Sequence, residues 1–209
     1  MKSEAKLIAQ MNLPAFSGVR VMMMPFHLHD AAGTLPELGG WRSVVSKISD
    51  IAGAKGVGYL TIDEALVKAG TTHRRPGIHV DGIGEDGGDA PYGGGGGYAK
   101  NGMYMISSHT GCRVWNQDFA GTPLPNGDCS NIAHECGEAK LIKSNQLWWC
   151  SPTCVHEALE MPEDTFRQFC RVSMPSTAPW HEGYTPSPFG VLPTGPIKPP
   201  RTAFMNYRP

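Results

Sequence analysis

The chain has 209 residues, 40 % of them hydrophobic and 18 % charged, and its 18 basic and 19 acidic side chains leave a formal net charge of -1. This excludes a charge-rich disordered tail or a coiled coil, and it supplies no global field for a phosphate backbone or an anionic membrane, so neither nucleic acid nor a membrane is expected as a partner. The length suits one sizeable core, and 26 glycines with 18 prolines imply many turns and short strands.

In chain order, the opening MKSEAKLIAQM lacks the basic start and long apolar region of a secretory signal, and no apolar run nears membrane-spanning length. A cytoplasmic protein is expected, with Cys112, Cys129, Cys136, Cys150, Cys154 and Cys170 as thiols. Residues 19–24 read as a buried strand, their three methionines filling gaps in a core. Trp41, Val44, Val45, Ile48 and Ile51 recur at helical spacing, which predicts a helix over 41–52 ended by Gly53. In 58–67, Thr61 and Glu64 fit a capping box, but 59–67 also fits a strand, and the strand is preferred. The stretch 81–98, with its run Gly93 to Gly97, reads as a mobile loop; a lid over the substrate and a plain surface loop both fit it.

Short apolar or alternating runs follow at 103–107, 112–115, 139–142, 146–150 and 166–173, a spacing that suggests an antiparallel sandwich or barrel. Of Trp148 and Trp149, one is expected in the core and the other under the C-terminal segment or in a pocket. That segment, 175–209, holds nine of the prolines and should run extended over the body as a strap. One domain covers 1–209, its core at about 57–174.

His79-Val80-Asp81 carries the first chemistry. On a strand the histidine and the aspartate share a face and one metal ion can bind both, although the motif is short. Further on, the run 138–150 leads through a Ser-Pro-Thr turn to His156, the second histidine of a two-histidine, one-carboxylate face. Arg171 and Ser173 then lie on one face of the next strand, where a guanidinium fork and a hydroxyl suit a carboxylate. Pro162, Glu163 and Asp164 are read as the hairpin turn between the two strands. Loop residues Arg74 and Arg75 are either solvated or bound to an anionic substrate group. The groups His27-Leu28-His29-Asp30 and Cys150, Cys154, His156 have no closed set of four ligands and are read as incidental.

The order His79-x-Asp81, His156, Arg171-x-Ser173 resembles the iron(II)/2-oxoglutarate-dependent oxygenase family over about residues 71–176. The resemblance implies a mainly β fold, a double-stranded β-helix (jelly roll) with one or two N-terminal helices packed outside. It implies that His79, Asp81 and His156 hold Fe(II), and that Arg171 and Ser173 bind the distal carboxylate of 2-oxoglutarate. It further implies that O2 and 2-oxoglutarate are consumed, with succinate formed, to hydroxylate, desaturate or cyclise a small-molecule substrate. Since family members that halogenate lack this carboxylate, Asp81 points away from halogenation. Tyr104 and Ser107 are candidates for facing the pocket. Two alternatives remain: a cupin-like enzyme with the same triad but no 2-oxoglutarate, and a non-catalytic β-sandwich binding module.

Overall fold

The computed structural model describes residues 1–82 and 101–200. The expected lid or loop beyond Gly82 therefore lies outside the described residues, as does the end of the strap. The elements are β1 (Lys2–Ser3), β2 (Ala5–Gln10), β3 (Arg20–His27), α1 (Ala31–Thr34), α2 (Trp41–Ala52), β4 (Val57–Val67), β5 (Met103–Ser107) and β6 (Cys112–Trp115). They continue with β7 (Gln117–Asp118), β8 (Lys140–Ile142), β9 (Gln146–Cys150), β10 (Val155–Ala158), β11 (Thr165–Ser173), β12 (Trp180–His181) and β13 (Ile197–Lys198). The protein is mainly β, with few helices.

A six-stranded sheet runs in the order β2-β9-β5-β11-β4-β3 and a smaller one in the order β10-β6-β8, all neighbours antiparallel. His79 extends the smaller sheet by an isolated bridge to His156 in β10. From β4 the chain passes to His79 in the small sheet, back to β5, across to β6 and β8, back to β9, across to β10 and back to β11. The stretch 162–164 is thus a crossover between sheets, not the expected hairpin turn, and Asp164 accepts hydrogen bonds from Lys68 and the Ala69 N–H there.

Two apolar layers hold this together. Between the sheets, Met103, Met105, Trp148, Cys150 and Phe169 of the large sheet meet Val114, Ile142 and Cys154 of the small-sheet side. On the outer face of the large sheet, Trp41, Val44, Val45 and Ile48 of α2 pack on Leu60, Ile62, Cys170 and Val172. Each such side chain contributes about 1.5–3 kcal/mol on burial. The helix ends where Gly53 adopts a left-handed φ of 59°, a conformation that costs other residues energy. Because β4 is covered on both faces, it is buried almost throughout and shows no alternation, which is why 58–67 reads two ways in the sequence. Glu64 does not cap a helix. It is buried, and it accepts hydrogen bonds from the Trp41 indole, Gln168 and the Ser17 and Val19 amides.

Other expectations need correction. β1 and β2 were not foreseen; β2 is an edge strand with mostly exposed side chains, so it lacks an apolar stripe. Trp148 is core, but Trp149 lies beneath Lys6, 5.6 Å from its ring centroid, and is not among the residues that line the cavity described below. Tyr104 faces α2, away from the interior, because strand alternation places it opposite Met103 and Met105. Met23 and Met24 are buried core, whereas Met22 is only partly buried and reaches the cavity described below.

The strap contains no helix among its described residues, and it carries its own apolar cluster. Ala178, Trp180, Tyr184 and Val191 cover Met23, Val57 and Tyr59. Thr185 and Met22 exchange backbone and side-chain hydrogen bonds at 2.9 Å, and the Trp180 indole donates to the Met23 carbonyl. These contacts fall where the register of β3 shifts and Met23 takes a positive φ of 50°.

Candidate metal centre

Backbone pairing creates the site. His79 N–H donates to the His156 carbonyl at 2.9 Å and His156 N–H to the His79 carbonyl at 3.0 Å, which sets the imidazoles side by side with centroids 4.3 Å apart. Two residues on, strand alternation returns Asp81 to the same side while Val80 is buried in a separate apolar cluster. Asp81 lies 3.9 Å from His79 Nε2 and 3.8 Å from His156 Nε2. Among the described residues these three form a buried group whose ligand atoms all lie within 4.8 Å of one another. Gly82 then passes tightly under the small sheet, its N–H on the Pro152 carbonyl; a Cβ there would sit 2.2 Å from that oxygen.

The orientation of the two imidazoles suits a metal. His79 Nδ1 lies 2.7 Å from the Gly77 carbonyl and His156 Nδ1 2.9 Å from the Cys154 carbonyl. A carbonyl only accepts, so each Nδ1 carries the hydrogen and each Nε2 presents a lone pair toward Asp81 when the ring is neutral. This anchoring through the other ring nitrogen is the usual support for a histidine ligand. Burial, reinforced by His156, lowers the His79 pKa to about 3, so its ring is neutral at pH 7. Burial also opposes a charge on His156, but the Cys154 side chain and Asp81 outweigh it and raise its pKa. For Asp81, burial is the largest influence and acts upward, yet Arg171 and the two histidines together hold the carboxyl well below its usual range. The group could hold a metal ion through the two Nε2 atoms and the carboxylate, and all three residues line a cavity.

That cavity measures about 110 Å³, several times the roughly 10–15 Å³ a single water needs. Arg171 lines it but turns to the triad: Nη1 donates to Asp81 Oδ2 at 2.7 Å and Nη2 approaches the Met23 sulfur at 3.4 Å. Ser173 is fully buried next to Tyr59 and Met103 of the neighbouring strands, is not part of the cavity wall, and its hydroxyl makes no hydrogen bond among the described residues. The expected pair is thus split, with Arg171 at the site and Ser173 behind it. Ser107 faces inward but serves as support, accepting from Arg167 Nε at 2.9 Å.

Three charged residues of the cavity went unnoticed in the sequence. Arg167 shares a strand face with Arg171, which the alternation of β11 makes legible, and is 1 % exposed with no salt bridge among the described residues. Gly111 makes room for it, since a Cβ there would lie 2.8 Å from the guanidinium carbon. Asp63 of β4 receives Arg74 at 2.8 Å and Arg20 at 3.1 Å, with His73 at 3.5 Å. Arg74 also stacks over Phe169 at 5.2 Å, and both Arg74 and Arg75 line the cavity.

The groups read as incidental have structural roles. Asp30 caps α1 through the Gly33 N–H, the Cys154 carbonyl orients His156, and all six cysteines are free thiols. No helix among the described residues is long and apolar enough to cross a membrane. No protein-family model matches this chain, and no curated protein matches it either.

Proposed function

We propose that the chain is an iron(II)- and 2-oxoglutarate-dependent oxygenase acting on a small molecule. The observation that carries this reading is the buried His79, Asp81, His156 group with both Nε2 atoms turned toward the carboxylate, opening onto a cavity that holds Arg167, which forms no salt bridge among the described residues. The winding of β4 to β11 between two facing antiparallel sheets supports a double-stranded β-helix, with α2 on its outer face. Bound iron(II) would supply open positions for the keto-acid end of 2-oxoglutarate and for O2.

The chain's own residues supply placement. The Gly77 and Cys154 carbonyls hold the histidine protons away from the metal side, and Met105 and Phe169 give the cavity apolar walls that restrict water. The resemblance assigns the distal carboxylate to Arg171 and Ser173. Arg171 spends one arm of its fork on Asp81, and Ser173 is outside the cavity wall, so we assign that carboxylate to Arg167. Arg167 lies four residues away on the same face, roughly 13 Å along the strand, and its Nη1 is buried without a hydrogen-bond partner among the described residues. A buried unpaired guanidinium is costly, and a dicarboxylic cosubstrate would offset that cost.

The test is anaerobic addition of iron(II) and 2-oxoglutarate, read as the visible absorption of the chelate and then, with air, as succinate. Wild type should show both, and Arg167→Gln should need at least tenfold more 2-oxoglutarate while binding metal normally. Folded wild-type protein with metal but neither signal would refute the reading. The Arg171–Asp81 ion pair favours one rival, a cupin-like enzyme that uses the metal without 2-oxoglutarate. Metal-dependent turnover indifferent to 2-oxoglutarate would establish that rival instead.

A further inference from the structure

The charge of the cavity wall exceeds what one cosubstrate balances. Five guanidiniums line it, those of Arg20, Arg74, Arg75, Arg167 and Arg171, against the carboxylates of Asp63 and Asp81. Asp63 is shared by Arg20 and Arg74, and Asp81 is held by Arg171. Arg167 and Arg75 form no salt bridge among the described residues, although Asp63 acts on Arg167 and Asp81 and Asp128 act on Arg75 from a distance, and each has a buried Nη1 with no hydrogen bond there. A divalent metal at the triad would add two further positive charges. A dicarboxylate bound to that metal and to Arg167 would cancel only the metal's two. A guanidinium with a buried, unbonded arm and no direct carboxylate contact is unfavourable, so the cavity is suited to a second anion.

We infer that Arg75, with Arg74 beside it in sequence, forms an oxyanion subsite distinct from Arg167, and that it binds a carboxylate or phosphate group of the primary substrate. Arg75 precedes His79 by four residues and leads directly into the metal strand, so an anion on its fork would lie beside the triad rather than at the far end of the cavity. Arg74 is fixed by Asp63 and by the Phe169 ring, giving the loop a rigid anchor. A planar fork with a free arm favours bidentate oxyanions over halide or neutral groups. The class of substrate is therefore a small organic acid or phosphomonoester. That the anion belongs to a substrate rests on the oxygenase reading; the anion site itself does not.

The experiment is titration calorimetry on the full metal-free chain at low ionic strength, with inorganic phosphate in one arm and propionate in the other. At least one should bind saturably, and the tighter of the two identifies the group. Arg75→Gln should weaken it at least tenfold, and Arg75→Lys should fall between Arg75→Gln and wild type because charge remains while the fork is lost. Arg113→Gln removes a charge outside the cavity and should stay within twofold of wild type. Circular dichroism of each variant confirms folding. The inference is overturned if neither anion binds wild type, if Arg75→Gln and Arg75→Lys bind as wild type does, or if Arg167→Gln loses binding while Arg75→Gln keeps it. Failure of the oxygenase reading looks different, since the chelate band would be absent while the dependence of anion binding on Arg75 persisted.

Discussion

A methyl group at residue 82 has no room: it would meet the Pro152 carbonyl at 2.2 Å, with backbone on both sides of the clash. Gly82→Ala must therefore shift the chain just after Asp81, and it should weaken zinc or iron(II) binding at least tenfold in a competition assay against a chromogenic chelator while the fold persists. Glu64 makes the opposite kind of prediction. It satisfies four donors from three parts of the chain, so Glu64→Ala strands them and should lower stability by about 2–4 kcal/mol, read from the urea midpoint. At this scale the histidines and Asp81 were legible because their chemistry is local to a strand and its period. Arg167 was not singled out, although the same alternation places it on the face of Arg171; its buried position depends on Gly111, and nothing in a linear pattern announces that one arginine needs a distant glycine.

At the level of elements, α2 joins the large sheet through a narrow stripe. Ile48→Ala should cost about 2–5 kcal/mol by opening a hole against Leu60, Ile62, Cys170 and Val172, which denaturant unfolding would measure, whereas Lys47→Ala on the outer side should change little. The helix over 41–52 and the strands at 112–115 and 146–150 were readable because a polar and an apolar side alternate at the right period or a turn residue closes them. The edge strand β2 had no such stripe, and the register shift in β3 falls where a strap distant in sequence bonds Met22. The crossover after β10 was mistaken for a hairpin because a Pro-Glu-Asp turn looks the same whether the chain returns to its own sheet or passes to the other.

Across the whole molecule, a bound metal ion and protons would each act on stability. A ligand that binds only the folded state adds about 2.7 kcal/mol at a hundredfold excess over its Kd, so zinc should raise the Tm by about 5–10 °C in differential scanning, and His156→Ala should remove the increment. Asp63 and Glu64 behave differently. Burial is the largest influence on both and acts upward, but His73 and Arg74 for Asp63, and Gln168 and Trp41 for Glu64, more than reverse it and hold both carboxyls below their ordinary values. The folded state therefore binds fewer protons than the unfolded state around pH 4, so the stability from these groups is present above that range and is lost as the pH falls through it. His73, lowered chiefly by burial, extends the same direction of loss upward to about pH 6.5. Urea midpoints between pH 7 and 3 should fall with acidity, and Asp63→Asn should make the curve shallower.

The strap has a longer reach than its position suggests. It fastens the backbone of Met22 and Met23, and one of these methionines faces the cavity while the sulfur of the other receives Arg171. Nicking the polypeptide just past Pro175 would spare every imidazole and carboxylate of the centre yet leave one flank of the chamber unbraced. Such a clipped protein should still take up added zinc but lose discrimination among the molecules it admits.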